Sequence, residues 1–543
     1  MRVKRSGAGL SVQAIAGTHV VLLGLHMEQA DTQGLLGFAI QRDDLAEDER
    51  AWLRGQKAFA ATDPGDGIGA THSSRQHPFQ TFQWADYSAK PGRQYRYRVF
   101  PMRGTPTALV QGEPVTLTVT TESGVAGQHA VYFNRGATAS QEYARRFQNK
   151  KPGEVGPVAF RWLSRGLIEG VLDFIAAATG PGWSLHGAVY EFQNSDVHKA
   201  LARASAAGTA VRVLYDARDA RAANEAAIAA SGIAALVKPR TRAPIMHNKF
   251  LVAVQNGVPH SVWTGGTNLT ENGIYGHSNQ AHVVRDEAVA RAYLDYWQQL
   301  EPDPAAKDLR PFTSVRPETP VADLAQGVTP IFSPRKGLSA LDWYASLAKG
   351  ATRGLFMTFA FGMNKRFVDV FDSTDNVLRF ALMEKAGLTP AATAEVERVR
   401  RRPNVTVAVG NRLVLNRFEN WLEETRNVAG SRNVHYIHTK YMLIDPLGPD
   451  PIVVAGSANF SDSATTDNDE NMLVIRGQKR VADIYIGEFM RLFTHYAFRE
   501  FAARPGGAVN EARPLTPDDS WTRQGYYRDG TDRALRRLYF AGR

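Results

Sequence analysis

Apolar and polar positions alternate in short bursts over the first 122 residues. "THVVLLGLHM", "LGFAIQRDD", "FQTFQWADYS", "QYRYRVFPM" and "PVTLTVTTE" are separated by glycine, proline and polar clusters. This pattern predicts the strands of an all-β sandwich. From about residue 127 the pattern changes: apolar runs of strand length now alternate with stretches of helical periodicity. The order strand, helix, strand, helix, strand, strand, helix is then read twice. "HAVYFNRGATASQEYARRF" is echoed by "VTPIFSPRKGLSALDWYASL", "WSLHGAVYEFQNSDVHKAL" by "RGLFMTFAFGMNKRFVDVF", and "AVRVLYDAR" by "NVTVAVGNR". Such alternation predicts α/β sheets with helices on their faces.

The expected division is a β-sandwich over 1–125, a first α/β domain over 126–305, a second over 320–502, and a tail over 503–543. The break between the α/β halves falls in "LEPDPAAKDLRPFTSVRPETP", where proline and charge replace apolar periodicity. The tail is rich in arginine and aromatics without a long periodic element. It is expected to pack across the halves or to touch a ligand.

Each half reaches a strand that carries a histidine and a lysine one residue apart: "IMHNKFLVAVQ" and "YIHTKYMLIDP". Residues i and i+2 of a strand share a face. His247 therefore lies beside Lys249, and His438 beside Lys440. An imidazole next to an ammonium makes a poor core and a good phosphate site: the cation holds anionic oxygens, and the ring attacks or passes a proton. Asn268 follows His247 by 21 residues and Asn459 follows His438 by 21, each after a glycine-containing turn that exposes backbone N–H groups. Further on, Gln280 and Glu470 begin the next strands, where an amide or carboxylate can orient a histidine through its second ring nitrogen.

The paired "H-x-K … G-S-x-N" sets resemble the phospholipase D superfamily, the HKD phosphodiesterases. The second copy carries the full pattern of His438, Lys440, Asp445, Ser457 and Asn459. The first has Val254 where the family usually has Asp, and Gly266 where it usually has Ser. The resemblance covers about residues 127–500 and is closest in style to bacterial endonuclease-like members. It implies two tandem α/β/α sandwich domains related by a pseudo-twofold axis, with both motifs in one cleft. By the family's pattern His247 is the nucleophile and His438 the general acid/base; the sequence leaves the reverse open. Glu470 joins them as a catalytic candidate, with Asp445, Ser457 and Gln280 in support. In the N-terminal region, the Tyr-x-Tyr-x-Val strand after a Pro-Gly turn resembles a fibronectin type III domain.

Composition bears on the partner. The 543 residues carry a net charge of +10, which favours a polyanion. Nucleic acid is the leading expectation and a phospholipid membrane surface the alternative. "NRFENWLEETR" and "SWTRQGYYRD" are candidates to line a strand-binding channel, and the β-domain to bind a protein or polymer. A decayed nucleic-acid or lipid binder is the non-enzymatic alternative. No Asp/His cluster has metal-ligand spacing, so no metal and no cofactor are expected. Cysteine is absent, which removes thiol nucleophiles and disulfides. No run of 18 apolar residues and no signal-like N-terminus is present, and a cytoplasmic location is the expectation, with signal-independent export as the alternative. The histidines at 186, 277, 282, 435 and 495 have no matched twin; His277 and His435 are placed to edge the cleft.

Overall fold

The computed structural model describes residues 1–66, 70–125, 127–136, 140–148, 150–410, 436–502 and 514–543. The N-terminal region forms two antiparallel sheets that close on one apolar cluster, with Leu23 and Leu25 from one sheet and Phe38, Tyr97 and Leu117 from the other. The strand Gln94–Thr105 shows why: Tyr95, Tyr97 and Val99 turn inward, while Arg96 and Arg98 turn outward onto Asp43. Strands Arg2–Gly7, Leu10–Ala16, Glu49–Trp52 and Ala108–Gln111 lie outside the stretches read as strands; Arg2–Gly7 is a polar edge strand, so no apolar alternation announces it. A groove of about 780 Å³ lies on this region, lined in part by Trp52, Arg54, His72 and Arg75, away from both His-x-Lys motifs.

Each following half is a seven-stranded sheet. The first runs His129–Phe133, Gln280–Val284, Val258–Gly265, Lys249–Gln255, Trp183–Val189, Ala210–Asp216, Val237–Arg240. The second runs Gly327–Ser333, Glu470–Arg476, Ile452–Gly456, Tyr441–Ile444, Gly354–Phe359, Leu378–Met383, Val405–Val409. The order is the same strand for strand, and in each the last three strands are parallel. Asn194 and Asn364 cap equivalent helices, Ser195–Ala206 and Lys365–Phe371.

The expected internal alignment needs one correction. The counterpart of Ala210–Asp216 is Leu378–Met383, not the "NVTVAVGNR" strand, whose own counterpart is the short edge strand Val237–Arg240. Each half therefore has seven strands where the repeated order announced four. Leu378–Met383 is buried along its whole length, so it offers no alternation to read.

The halves share a core. The helix closing the first half, Glu287–Leu300, stacks Tyr296 on Phe332 of the second half's first strand at 4.4 Å, and the Tyr296 hydroxyl donates to the Ser333 carbonyl at 2.6 Å. The helix closing the second half, Lys479–Ala502, sets Tyr485 edge-on to Phe133 of the first half's first strand at 5.2 Å. Burying such rings contributes about 1.5–3 kcal/mol each, which fixes the halves about their pseudo-twofold axis.

The C-terminal stretch packs. Trp521 enters the β-sandwich core beside Phe38 and Phe82 and donates its indole N–H to the Leu35 carbonyl at 2.8 Å. Tyr526 and Tyr527 pack against the same cluster. The rings of "SWTRQGYYRD" therefore pack on the sandwich, while Arg523, Gln524, Arg528 and Asp529 stay exposed. A short helix, Asp532–Phe540, follows in the stretch read as having no long periodic element. Its arginines obscure the apolar stripe of Ala534, Tyr539 and Phe540, which bridges the sandwich and the second half. The stretch "NRFENWLEETR" and His435 lie outside the described residues.

Candidate active site

The two histidines do not sit within the sheet ladders. Lys249 opens its strand and Lys440 directly precedes Tyr441–Ile444, so each histidine stands just beyond the strand's start. There the backbone of one half pairs with the other. His247 N–H donates to the Asp469 carbonyl at 3.0 Å, and Asp469 N–H returns to Ile245 at 3.1 Å. His438 N–H donates to the Ser278 carbonyl at 3.2 Å, and Ser278 N–H returns to Tyr436 at 2.7 Å. One residue before each histidine, the N–H is taken by a buried carboxylate that ends a parallel strand. Met246 donates to Asp216 and Ile437 to Glu384, both at 2.9 Å. The sequence reading missed these two anchors because it paired the wrong strands.

The side chains cross as well. His247 Nδ1 is 2.9 Å from Glu470 Oε2, and Ser457 donates its hydroxyl to the same oxygen at 2.6 Å. His438 Nδ1 is 2.9 Å from Asn279 Oδ1. Asn279 Nδ2 donates to the Gly273 carbonyl at 2.7 Å, which fixes the amide so that its oxygen faces the ring. His438 therefore carries its proton on Nδ1 and turns Nε2 outward. Glu470 backs His247, across the pseudo-axis, and one expectation changes. The first half's counterpart of Glu470 is Asn279, 32 residues after its histidine as Glu470 is 32 after His438. Gln280 accepts the Gly266 N–H at 2.7 Å instead. A neutral amide needs no serine beside it, which accounts for Gly266 where the other half has Ser457.

Lys249 and Lys440 each donate to the carbonyl of their own histidine, at 2.5 and 2.7 Å. They lie close enough that Lys249 lowers the pKa of Lys440. Burial is the larger cause and pushes both below the ordinary lysine range, with Glu470 and Glu191 opposing it. Burial likewise pushes His247 down to about 4 against the pull of Glu470. His438 falls well below its ordinary value through burial, then Lys440 and His277. Both imidazoles are thus neutral at pH 7, each with a lone pair available.

Asn268 donates its amide to Glu191 at 2.5 Å, and Asn459 is half-buried with its carbonyl oxygen unpaired. Asp445 lies at the far end of its strand from His438. It accepts the N–H groups of Thr352, Arg353 and Gly354 at 2.8–2.9 Å and supports that loop rather than the histidine. In the first half Val254 offers no acceptor, and the Trp183 N–H, the counterpart of Arg353, donates to the Gly180 carbonyl at 3.3 Å. His277 does edge the site, its ring 5.8 Å from that of His438. His186 packs on Trp297 and His282 bonds His129, both away from it.

The family described as "Cardiolipin synthase, PLD-like domain" matches residues 171–300 and 400–493, one stretch in each half. Each half thus carries a stretch that is similar to a phospholipase D-like domain. Solved structures that it is similar to include Nuc from Salmonella typhimurium, a phospholipase D family member, at 27% identity over 25% of this chain and 86% of that one, TM-score 0.22. Phosphatidylserine synthase from Haemophilus influenzae Rd KW20 is 13% identical over 61% of this chain and 85% of that one, TM-score 0.40. Polyphosphate kinase from Porphyromonas gingivalis is 12% identical over 64% of this chain, TM-score 0.39; the chain spans about half of that protein's length, 49%. No curated protein matches the sequence. Among the described residues no helix is long and apolar enough to cross a membrane.

Proposed function

We propose that this chain is a metal-independent phosphodiesterase that works through a phosphohistidine on His247 and takes nucleic acid as its substrate. The observation that carries the chemistry is the unequal backing of two neutral histidines, Glu470 behind one and Asn279 behind the other. With its Nδ1–H directed at Glu470, His247 presents the Nε2 lone pair to phosphorus. The N–P bond forms as the bond to the leaving oxygen breaks, and the carboxylate balances the cationic ring. His438, in its imidazolium form, gives the Nε2 proton to that oxygen. Water then passes a proton to His438 Nε2, attacks phosphorus and expels His247. An amide behind His438 suits a ring that must release its proton, since a carboxylate would hold it. An entering phosphodiester anion favours the imidazolium form of His438, and the two lysines stabilise the charge gathered on the phosphoryl oxygens.

The nucleic-acid substrate rests on the net charge of +10. A second reading, a phospholipid headgroup, is favoured by the lipid enzyme in the matching family's description. Wild type and His438→Ala, assayed with EDTA on single- and double-stranded DNA, RNA and phosphatidylcholine/phosphatidylglycerol vesicles, separate the two. Nucleic-acid cleavage lost in the variant supports the proposal. Headgroup release with intact nucleic acid replaces the substrate. Activity that EDTA abolishes overturns the mechanism.

A further inference from the structure

Beside the two lysines stands a carboxylate that this mechanism does not use. Glu191 comes two residues after the strand Trp183–Val189, and the matching position after Gly354–Phe359 is Phe361. Glu191 is 6% exposed; its Oε2 accepts from Asn268 Nδ2 at 2.5 Å, and its carbonyl accepts the Leu269 N–H at 3.1 Å. Lys249 and Lys440 both feel its charge from the motif strands of the two halves, and Asp219 opposes its ionisation from the loop beyond Ala210–Asp216. The preceding residue, Tyr190, lays its ring 4.8 Å from the Lys249 ammonium and hands its hydroxyl proton toward Asp219. Burial pushes the Glu191 carboxyl up and the lysines hold it down, so it carries negative charge on the alkaline side of neutrality.

For a pocket built only to hold phosphate, this residue is a disadvantage. It becomes useful when the two ends of the reaction are compared. A phosphodiester carries one negative charge, whereas the phosphomonoester that leaves after hydrolysis carries two, whichever alcohol is lost. Two lysines alone would hold the product more tightly than the substrate. We propose that Glu191 is a specificity-determining residue that selects the phosphodiester monoanion against the phosphomonoester dianion and thereby speeds product release. The inference rests on the phosphate-site reading above. Because repulsion scales with the ligand's charge, removing it should tighten a dianion about tenfold and a monoanion about threefold.

Titration calorimetry at pH 8 with methyl phosphate and dimethyl phosphate tests this in wild type, Glu191→Gln and Lys440→Ala. Wild type should bind methyl phosphate no more tightly than dimethyl phosphate, and Glu191→Gln should invert that order. Equal tightening of both ligands, or of neither, overturns the inference. So does a wild type that already prefers methyl phosphate tenfold, a result that stands even where Glu191→Gln fails to fold. If Lys440→Ala matches wild type for both anions, the phosphate site itself is gone and the inference with it. Affinity that needs Lys440 but ignores Glu191→Gln removes the inference alone.

Discussion

In the first half a neutral amide, Asn279, is directed at the histidine of the second; in the second half a carboxylate, Glu470, is directed at the histidine of the first. The sheets that carry them have the same strand order, and the backbone pairs that bring the halves together are matched residue for residue. Duplication thus supplies two equivalent scaffolds, and a few side chains make them unequal. Ser457 accompanies Glu470 where Gly266 accompanies Asn279, and Tyr190 and Glu191 line the first half where Ala360 and Phe361 stand in the second. The proposed in-line displacement uses this inequality, with one histidine binding phosphorus while the other moves a proton.

The sharpest way to break the comparison is to remove each ring in turn. His247→Ala and His438→Ala should each lower kcat by about 10⁴-fold or more on an unactivated diester. They should part on a 4-nitrophenyl diester, whose leaving group needs no proton. There His438→Ala accumulates a phosphorylated protein visible by intact mass, and His247→Ala does not. Phosphorylation of His247→Ala would reverse the roles.

Exchanging the backing groups comes next. Glu470→Gln should cost about 10²-fold in kcat, since the ring that becomes cationic loses its counter-charge, and Asn279→Ala about tenfold. Equal losses measured by single-turnover kinetics would mean that the histidines are alike after all.

The pH profile should show a smaller effect. His247, lowered to about 4, stays nucleophilic down to that pH, and activity falls below it as the ring takes a proton. Burial lowers Lys249 and Lys440, so their charge is lost at lower pH than for an exposed lysine. KM should therefore rise with pH on the alkaline side, well before about 10.4. A KM that is flat to pH 10 would contradict this.

Asp445→Val, which makes the second half resemble the first at that position, should have the smallest effect on catalysis. Loss of the loop's hydrogen bonds should destabilise the fold by about 1–3 kcal/mol, seen as a lower Tm, with kcat within about twofold of wild type. A large kcat loss with unchanged Tm would return Asp445 to the active site. In the N-terminal region, Gly24→Ala would place a Cβ 2.0 Å from the Phe540 carbonyl oxygen and should release the C-terminal helix, read as a fall in Tm.

Much of this architecture is legible in the residue order. The repeat, the His-x-Lys pairs and the asparagines at matched spacing are local, and strand periodicity carries them. What was misread followed from losing count within the repeat. Counting 32 residues from each histidine leads to Asn279 beside Glu470, whereas choosing the residue that opens the next strand leads to Gln280. Leu378–Met383 escaped because a strand buried on both faces has no polar beat. Asp216 and Glu384 escaped because a carboxylate at a strand's end looks like any polar terminus until its acceptor role is seen.

By itself the sequence determined that two equivalent α/β units follow a β-rich region, and that each carries an imidazole and an ammonium one residue apart. Those properties depend on neighbours along the chain. Tertiary structure alone decided that Glu470 serves His247, that Asn279 serves His438, and that Glu191 stands among the lysines. The two histidine pairings join residues 223 and 159 positions apart across a pseudo-twofold axis. No periodicity records them, because the distances that matter arise only when the two halves bury their shared core.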